Sequence, residues 1–193
     1  MDKKDIETYY PNSRTDWRKW LKKNHHLKQS VWLVYYRVST KIPSLSWSEA
    51  VDEALCFGWI DSTKRTIDNE RYMQYFSKRK PKSNWSKINK EKVGQLIENN
   101  LMTKAGIESI EIAKDNGSWI LLDDVENLVV PDDLKIALSK NNNSKVFFES
   151  QSKSNKKILL HWIVSAKRIE TRNKRIGEIA RSAAINKRPE QFK

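Results

Sequence analysis

One cysteine, Cys56, stands in a chain of 193 residues. No intramolecular disulfide can form, and neither a disulfide-built secreted scaffold nor a cysteine-rich zinc site has its ligands. Beside Ala54 and Leu55, Cys56 reads as a packed thiol. Glycine is almost as scarce, with five residues scattered along the chain, which removes the phosphate-cradling loops of Rossmann and P-loop proteins. No Gly-x-Ser-x-Gly turn offers a serine nucleophile. The three histidines have no cysteine or carboxylate at ligand spacing, so neither a metal site nor a cofactor is expected. Adjacent His25 and His26 are expected to diverge on a helix, and His161, beside Trp162 on an apolar face, reads as a packed residue with one satisfied nitrogen. No uncharged run is long enough to span a bilayer, and the first residues, MDKKDIETYYPNSR, lack the apolar core of a signal peptide. The expectation is a soluble, cytoplasmic protein without internal repeats or low-complexity tracts.

Positive charge is what the chain has in excess. The formal net charge is +13, and it is unevenly placed. Residues 1–63 carry 10 basic and 8 acidic side chains, 64–92 carry 10 and 3, 93–150 carry 5 and 10, and 151–193 carry 12 and 3. Two basic blocks therefore flank an acidic one. Such asymmetry favours nucleic acid, anionic lipid or an acidic protein as partner.

The apolar pattern predicts an α+β fold: a small antiparallel sheet, made of a strand plus a β-hairpin, covered by helices, with a mainly helical C-terminal half. Asn12 or Ser13 can cap a helix whose Trp17, Trp20 and Leu21 share one face. The run VWLVYYRV, residues 31–38, is apolar almost throughout and suits a central strand. Ser46 and Glu49 form a capping box ahead of a helix that Gly58 ends. Residues 59–67 and 71–79 read as the two strands of a hairpin around the polar turn Asp68, Asn69 and Glu70. Alternation then sets Tyr72, Gln74, Phe76 and Lys78 on one face and Met73, Tyr75, Ser77 and Arg79 on the other. Helices follow from Val93, with Thr103 as a cap and Gly117 as a stop, then an acidic loop or short extended segment over 119–130, then a helix opened by Pro131. The final region, from Ser154, reads as a helical hairpin or a long kinked helix. The domain reading is an α+β core over 1–120, with strand 31–38 and hairpin 59–79, and a helical extension over 121–193 packed on it as one compact unit.

The hairpin and its tail carry the main candidate site. Arg71, Lys78, Arg79, Lys80 and Lys82 can contact phosphates, while Tyr72, Tyr75, Phe76 or Trp85 can stack on bases, the combination that single-strand binders use. The bland reading makes the tail a solvated strand end whose aromatics belong to the core, with Ser83 or Ser86 capping the next helix. A second basic surface comprises Lys167, Arg168, Arg172 and Arg175, which can instead bind the acidic segment 93–150 of the same chain. Asp61 can serve as an acid or base in a cleft with Arg65, Arg71 and Tyr75, or simply pair with Arg65 or Arg71 across the hairpin.

Four ordered segments, EALCFGWIDS (Glu53 to Ser62), RYMQYFSKRKPKSNWSKIN (Arg71 to Asn89), MTKAGIESIEIAKDNGSW (Met102 to Trp119) and SAKRIETRNKRI (Ser165 to Ile176), resemble the YdeI/OmpD-associated family, also labelled bacteriocin-protection proteins. The resemblance implies a role in envelope stress or antimicrobial-peptide resistance, and some descriptions of the family imply a periplasmic location; it carries over no catalytic set. Members often have proline where this chain has Ile169, so the basic joint is expected to kink less sharply here. The sequence reading is a non-enzymatic binding module for an anionic partner, nucleic acid first, with a protein partner as a further option. The rival is an enzyme or small-molecule sensor with its cleft near Asp61, Arg65, Arg71 and Tyr75. Oligomeric state leaves no mark on the sequence.

Overall fold

A computed structural model describes residues 7–192. Contacts divide the chain into two compact units, residues 1–119 and 120–193. In the first, the described elements run β1 (Thr8–Tyr9), α1 (Arg14–Asn24), β2 (Ser30–Tyr36), α2 (Trp47–Cys56), β3 (Trp59–Thr66), β4 (Arg71–Lys78), α3 (Lys87–Glu98) and α4 (Lys104–Asp115). The strands form one sheet in the order β1-β2-β4-β3. The expected α+β class is what the chain adopts. The sheet is mixed, because the short β1, unread in the sequence, pairs parallel to β2 while the other pairs are antiparallel.

Local chemistry explains most boundaries. Ser13 caps α1 through the Asp16 N–H, and the Ser46/Glu49 capping box closes the start of α2. Gly58, at φ 70°, turns the chain from α2 into β3 in a conformation that side chains resist. In the hairpin turn, Asp68 Oδ1 accepts from the N–H groups of Glu70 and Arg71 at 2.9 and 2.7 Å, an Asx arrangement that fixes the register. Strand β2 stops at Tyr36, two residues short of the expected 38. Its partner ladder ends at Arg71, so Arg37 makes one last bond to Glu70 O (2.8 Å) and the chain leaves in a 3-10 turn with Val38 97% exposed.

Helix α2 is the hub of this unit, packing against α1, β3, α3 and α4. The core joins Trp17, Trp20 and Leu21 of α1 to Val31, Leu33, Tyr35 and Phe76 of the sheet and to Ala50, Ala54 and Leu55 of α2. At the start of α4 a Cβ on Gly106 would fall inside the contact distance of Cys56 O and 2.8 Å from Cys56 C. Thr103 does not cap α4 with its side chain. Its Oγ1 and N–H both donate to Cys56 O, at 2.6 and 3.1 Å, satisfying a carbonyl that the end of α2 leaves open.

The second unit contains α5 (Asp123–Glu126), α6 (Asp132–Ser139), α7 (Asn142–Ser150), α8 (Lys153–Val164) and α9 (Ile169–Ala184). The segment read as a loop or extended piece instead contains the single turn α5, because Leu122 and Val125 share a helix face and are both buried. Helix α9 touches α6, α7 and α8, and Leu134, Phe148, Leu160, Ile163, Ile176 and Ile179 form a second core. Of the two forms read for the last region, the hairpin is the one seen: α8 ends at Val164 and α9 starts at Ile169, a full break without proline. Among the described residues no helix is long and apolar enough to cross a membrane.

Candidate functional site

The two faces of the sheet carry different chemistry. Trp32 and Val34 of β2, and Met73 and Tyr75 of β4, belong to neither hydrophobic core. The register sets Trp32 opposite Tyr75, with rings 5.0 Å apart at 62°, and Val34 opposite Met73. From β3, exposed Arg65 lies opposite Met73 and lays its guanidinium over the Trp32 ring, 4.9 Å from the centroid. Arg65 has no acidic partner among the described residues. Tyr36 continues the row opposite Arg71 and takes the ring of Tyr10 edge-on at 5.2 Å. This face thus combines aromatic rings with a stacked arginine; Trp32 is 8% exposed, Val34, Met73 and Tyr75 are half-buried, and Arg65 is exposed.

On the helix-facing side Asp61 Oδ2 accepts from Trp47 Nε1 (2.9 Å) and Gln74 Nε2 (3.0 Å), and Gln74 also donates to Ser62 O at 2.9 Å. Gln74 is buried, and the Tyr35 hydroxyl beside it is buried without a hydrogen-bond partner among the described residues. Burial pushes the Tyr35 phenol well above its usual pKa. Tyr72 stacks on Tyr35 at 5.0 Å and 5°, and Lys64 Nζ sits 4.1 Å from the Tyr72 ring.

Asp61, Arg65, Arg71 and Tyr75, read as a possible cleft, are not brought together. Asp61 pairs with Phe76 and so lies on the face opposite Arg71 and Tyr75, and a β-bulge then parts it from Arg65. Asp61 lies opposite Phe76 and Lys64 opposite Gln74, so three steps on β3 match two on β4, and every later side chain of β3 changes face. Asp61 stays on the helix side while Arg65 joins Tyr75 on the other. Nor does Asp61 form the expected ion pair: its bonds come from uncharged donors, and Arg71 instead grips Asp68 Oδ2 through Nε (2.9 Å) and Nη2 (2.7 Å). Those bonds hold the Asp68 carboxyl below its usual pKa.

The eight residues of the hairpin and its tail fall into separate environments. Arg71 is tied to Asp68, Tyr72 faces the core, and Tyr75 faces away from it. Lys78 Nζ donates to His26 O at 3.1 Å. Arg79 folds back over Trp85, 3.7 Å from the ring centroid, with Nη1 donating to Asn84 O (2.9 Å) and Ser83 Oγ (3.3 Å). Its Nε and Nη2 are inaccessible and unbonded among the described residues, and burial lowers its pKa to about 10 against an opposing pull from Asp61. Trp85 is 1% exposed and packs on Trp119. Only Lys80 and Lys82 stand in open solvent.

At the second basic surface, Arg172 forms a two-pronged pair with Asp133 at 2.7 and 3.0 Å, and Arg175 lies over Trp162 while bonding Trp162 O and Ser165 Oγ. Lys167 and Arg168 remain exposed. His161 is exposed rather than packed, and the rings of His25 and His26 meet edge-to-face at 5.1 Å rather than diverging. Among the described residues no three His, Cys, Asp or Glu side chains gather as a metal site.

Two features had weak sequence signals. Trp32 was readable as outward-facing from its parity against Val31, Leu33 and Tyr35. Glu53 gave no sign of its role: it is 2% exposed and accepts from Arg14 Nε and Arg18 Nη1 of α1, both at 2.6 Å.

Comparison with known families divides along the same line as the fold. Residues 9–109, just over half of the chain and wholly inside the first unit, match the family described as Domain of unknown function (DUF8412). The chain belongs to this family. Residues 127–186, inside the second unit, match the family described as Bacteriocin-protection, YdeI or OmpD-Associated, the family that the four motif segments resemble. Of those segments only Ser165 to Ile176 lies within that match; Glu53 to Ser62 and Arg71 to Asn89 lie within the DUF8412 match. No curated protein and no solved structure matches.

Proposed function

We propose that this DUF8412 protein is a non-enzymatic binding module that holds single-stranded nucleic acid on the sheet face turned away from its helices. The observation that carries the reading is the cluster of exposed Arg65 and half-buried Tyr75 about the Trp32 ring, itself 8% exposed, on the face away from the helices. Exposed Arg65, set over the Trp32 ring, offers a cationic surface to an incoming base, and base stacking on such platforms contributes roughly 1–3 kcal/mol per base. The basic block of residues 64–92, with 10 cations against 3 carboxylates, supplies the attraction for phosphate. Exposed Lys80 and Lys82 belong to that attraction, whereas Arg79 and Trp85 support the fold.

Fluorescence polarisation with a short labelled single strand tests the proposal. Micromolar or tighter binding that weakens steeply with salt is the expected result, and no binding at low salt would remove the idea. Arg65→Ala should weaken binding by roughly tenfold, within the range for loss of one stacking contact. A nucleic-acid partner implies a cytoplasmic location, which cell fractionation checks. The bacteriocin-protection description of the second unit adds a process to the proposal: loss of the gene should sensitise cells to antimicrobial peptides.

A second reading, a small-molecule sensor, draws on Asp61, Gln74 and the buried Tyr35 hydroxyl on the helix side. A metabolite thermal-shift screen discriminates, since a ligand for that side raises Tm and loses its effect in Asp61→Asn but not in Arg65→Ala.

A further inference from the structure

The second unit holds a groove of about 500 Å³ along α6 and α7, within the range of roughly 300–1,000 Å³ typical of small-molecule sites. Its floor is firm, because Leu138 and Phe148 belong to the core of that unit. Its lip is apolar and open: Leu128, Val130 and Ile136 line it, and Ile136 is 62% exposed. Isoleucine left in water beside a concave apolar wall is a feature that ligand burial relieves.

The rim has one dominant sign. Lys135, Lys145 and Lys156 border the groove against a single carboxylate, Glu149. Lys135 is the one of the three already in an ion pair, with Asp132 at 2.8 Å. Lys156 Nζ bonds only a backbone carbonyl, Glu149 O at 2.7 Å, and Lys145 pairs with no acidic side chain among the described residues. Two ammonium groups are therefore available at the mouth of an apolar slot.

We infer that this groove binds an anionic single-chain amphiphile, a free fatty-acid carboxylate, with its acyl chain against Leu138 and Phe148 and its head group at Lys145 and Lys156. The apolar floor alone would take any hydrocarbon, more tightly the longer its chain. The cationic rim selects the carboxylate and disfavours an amphiphile with a quaternary ammonium head. The site is independent of the sheet face in the first unit and needs no nucleic acid.

Titration of the full-length protein with cis-parinaric acid, followed by its fluorescence and by displacement with dodecanoate, tests the inference. Saturable binding of one probe per chain below the micellar range is expected, with dodecyltrimethylammonium displacing it at least roughly tenfold less well, a gap of about 1.4 kcal/mol. Ile136→Glu should weaken parinarate at least roughly tenfold, and the surface change Lys145→Glu severalfold with an unchanged Tm, so that loss of affinity is read apart from loss of folding. Absence of saturable binding, equal displacement by the cationic amphiphile, or unaltered affinity in both variants would overturn it. Binding to anionic phospholipid vesicles without binding of dodecanoate would overturn it too, in favour of a membrane surface, as would binding of an acidic amphipathic peptide alone.

Discussion

The same four strands present two unlike surfaces. Toward the helices, Val31, Leu33, Tyr35 and Phe76 are sealed by α1 and α2, and the polar groups there are drawn into short bonds: Glu53 between two arginines, Asp61 between Trp47 and Gln74. On the other side Trp32, 8% exposed, packs with half-buried Tyr75 and takes exposed Arg65 over its ring, beside half-buried Val34 and Met73. The first face seals its aromatic residues under helices; the second sets an exposed arginine over a tryptophan ring. Residue type does not separate the two, since both use tryptophan, tyrosine and arginine.

Substitutions should pull the two faces apart, most forcefully at the helix side. Gly106→Ala drives a methyl into the Cys56 carbonyl, which is backbone and cannot swing away; a loss of about 3 kcal/mol is expected by urea denaturation, at the upper end for overpacking. Glu53→Gln should cost about 2 kcal/mol, as two charge-assisted bonds are weakened around a buried side chain whose arginines keep some access to water. Neither change should alter nucleic-acid affinity once the protein is folded. Arg65→Ala reverses the pattern, with its roughly tenfold loss of binding and a stability change within about 0.5 kcal/mol, as for other exposed positions.

Smaller effects sharpen the contrast between buried and exposed charge. Asp133 is half-exposed, and the Arg172 hydrogen bond holds its carboxyl below the usual 3.8. A lowered folded pKa means that the pair's stabilisation is present above the ordinary carboxylate value and is lost as pH falls through the folded one. Arg172→Met should therefore flatten the acid limb of a stability-against-pH curve and leave alkaline behaviour alone. Arg79→Met should fall within about 1 kcal/mol of the parent, because removing a desolvated, partly unbonded guanidinium offsets the lost bond to Asn84 O.

Much of the fold was legible where neighbours in sequence decide it. Ser46 with Glu49, Gly58 at positive φ, the Asp68 turn and the alternation along β4 all act over a few residues, and each appears as read. The candidate site was less legible. A row of solvent-facing cations from Arg71 through Lys82 requires that charge stay in water, yet Arg79 lies on Trp85, and Arg71 is claimed by Asp68 three residues earlier. The bulge between Asp61 and Lys64 moved Arg65 across the sheet, and no turn residue announced it. The parallel β1 leaves no mark in the sequence, because two residues are too few for any periodicity to show.

By itself the sequence determined the α+β class, the hairpin, the capped starts of α1, α2 and α3 and the two basic blocks, since capping, alternation and composition are local or additive properties. Only the tertiary structure decided which charges are paired internally and which face carries Arg65. Those outcomes depend on partners far along the chain: Arg14 and Arg18 meet Glu53 across 39 and 35 residues, and Trp32 meets Tyr75 and Arg65 only once the register of three strands is set. Burial and pairing over such distances follow from how the elements pack, and a linear pattern does not encode which of several arginines will reach a given carboxylate or ring.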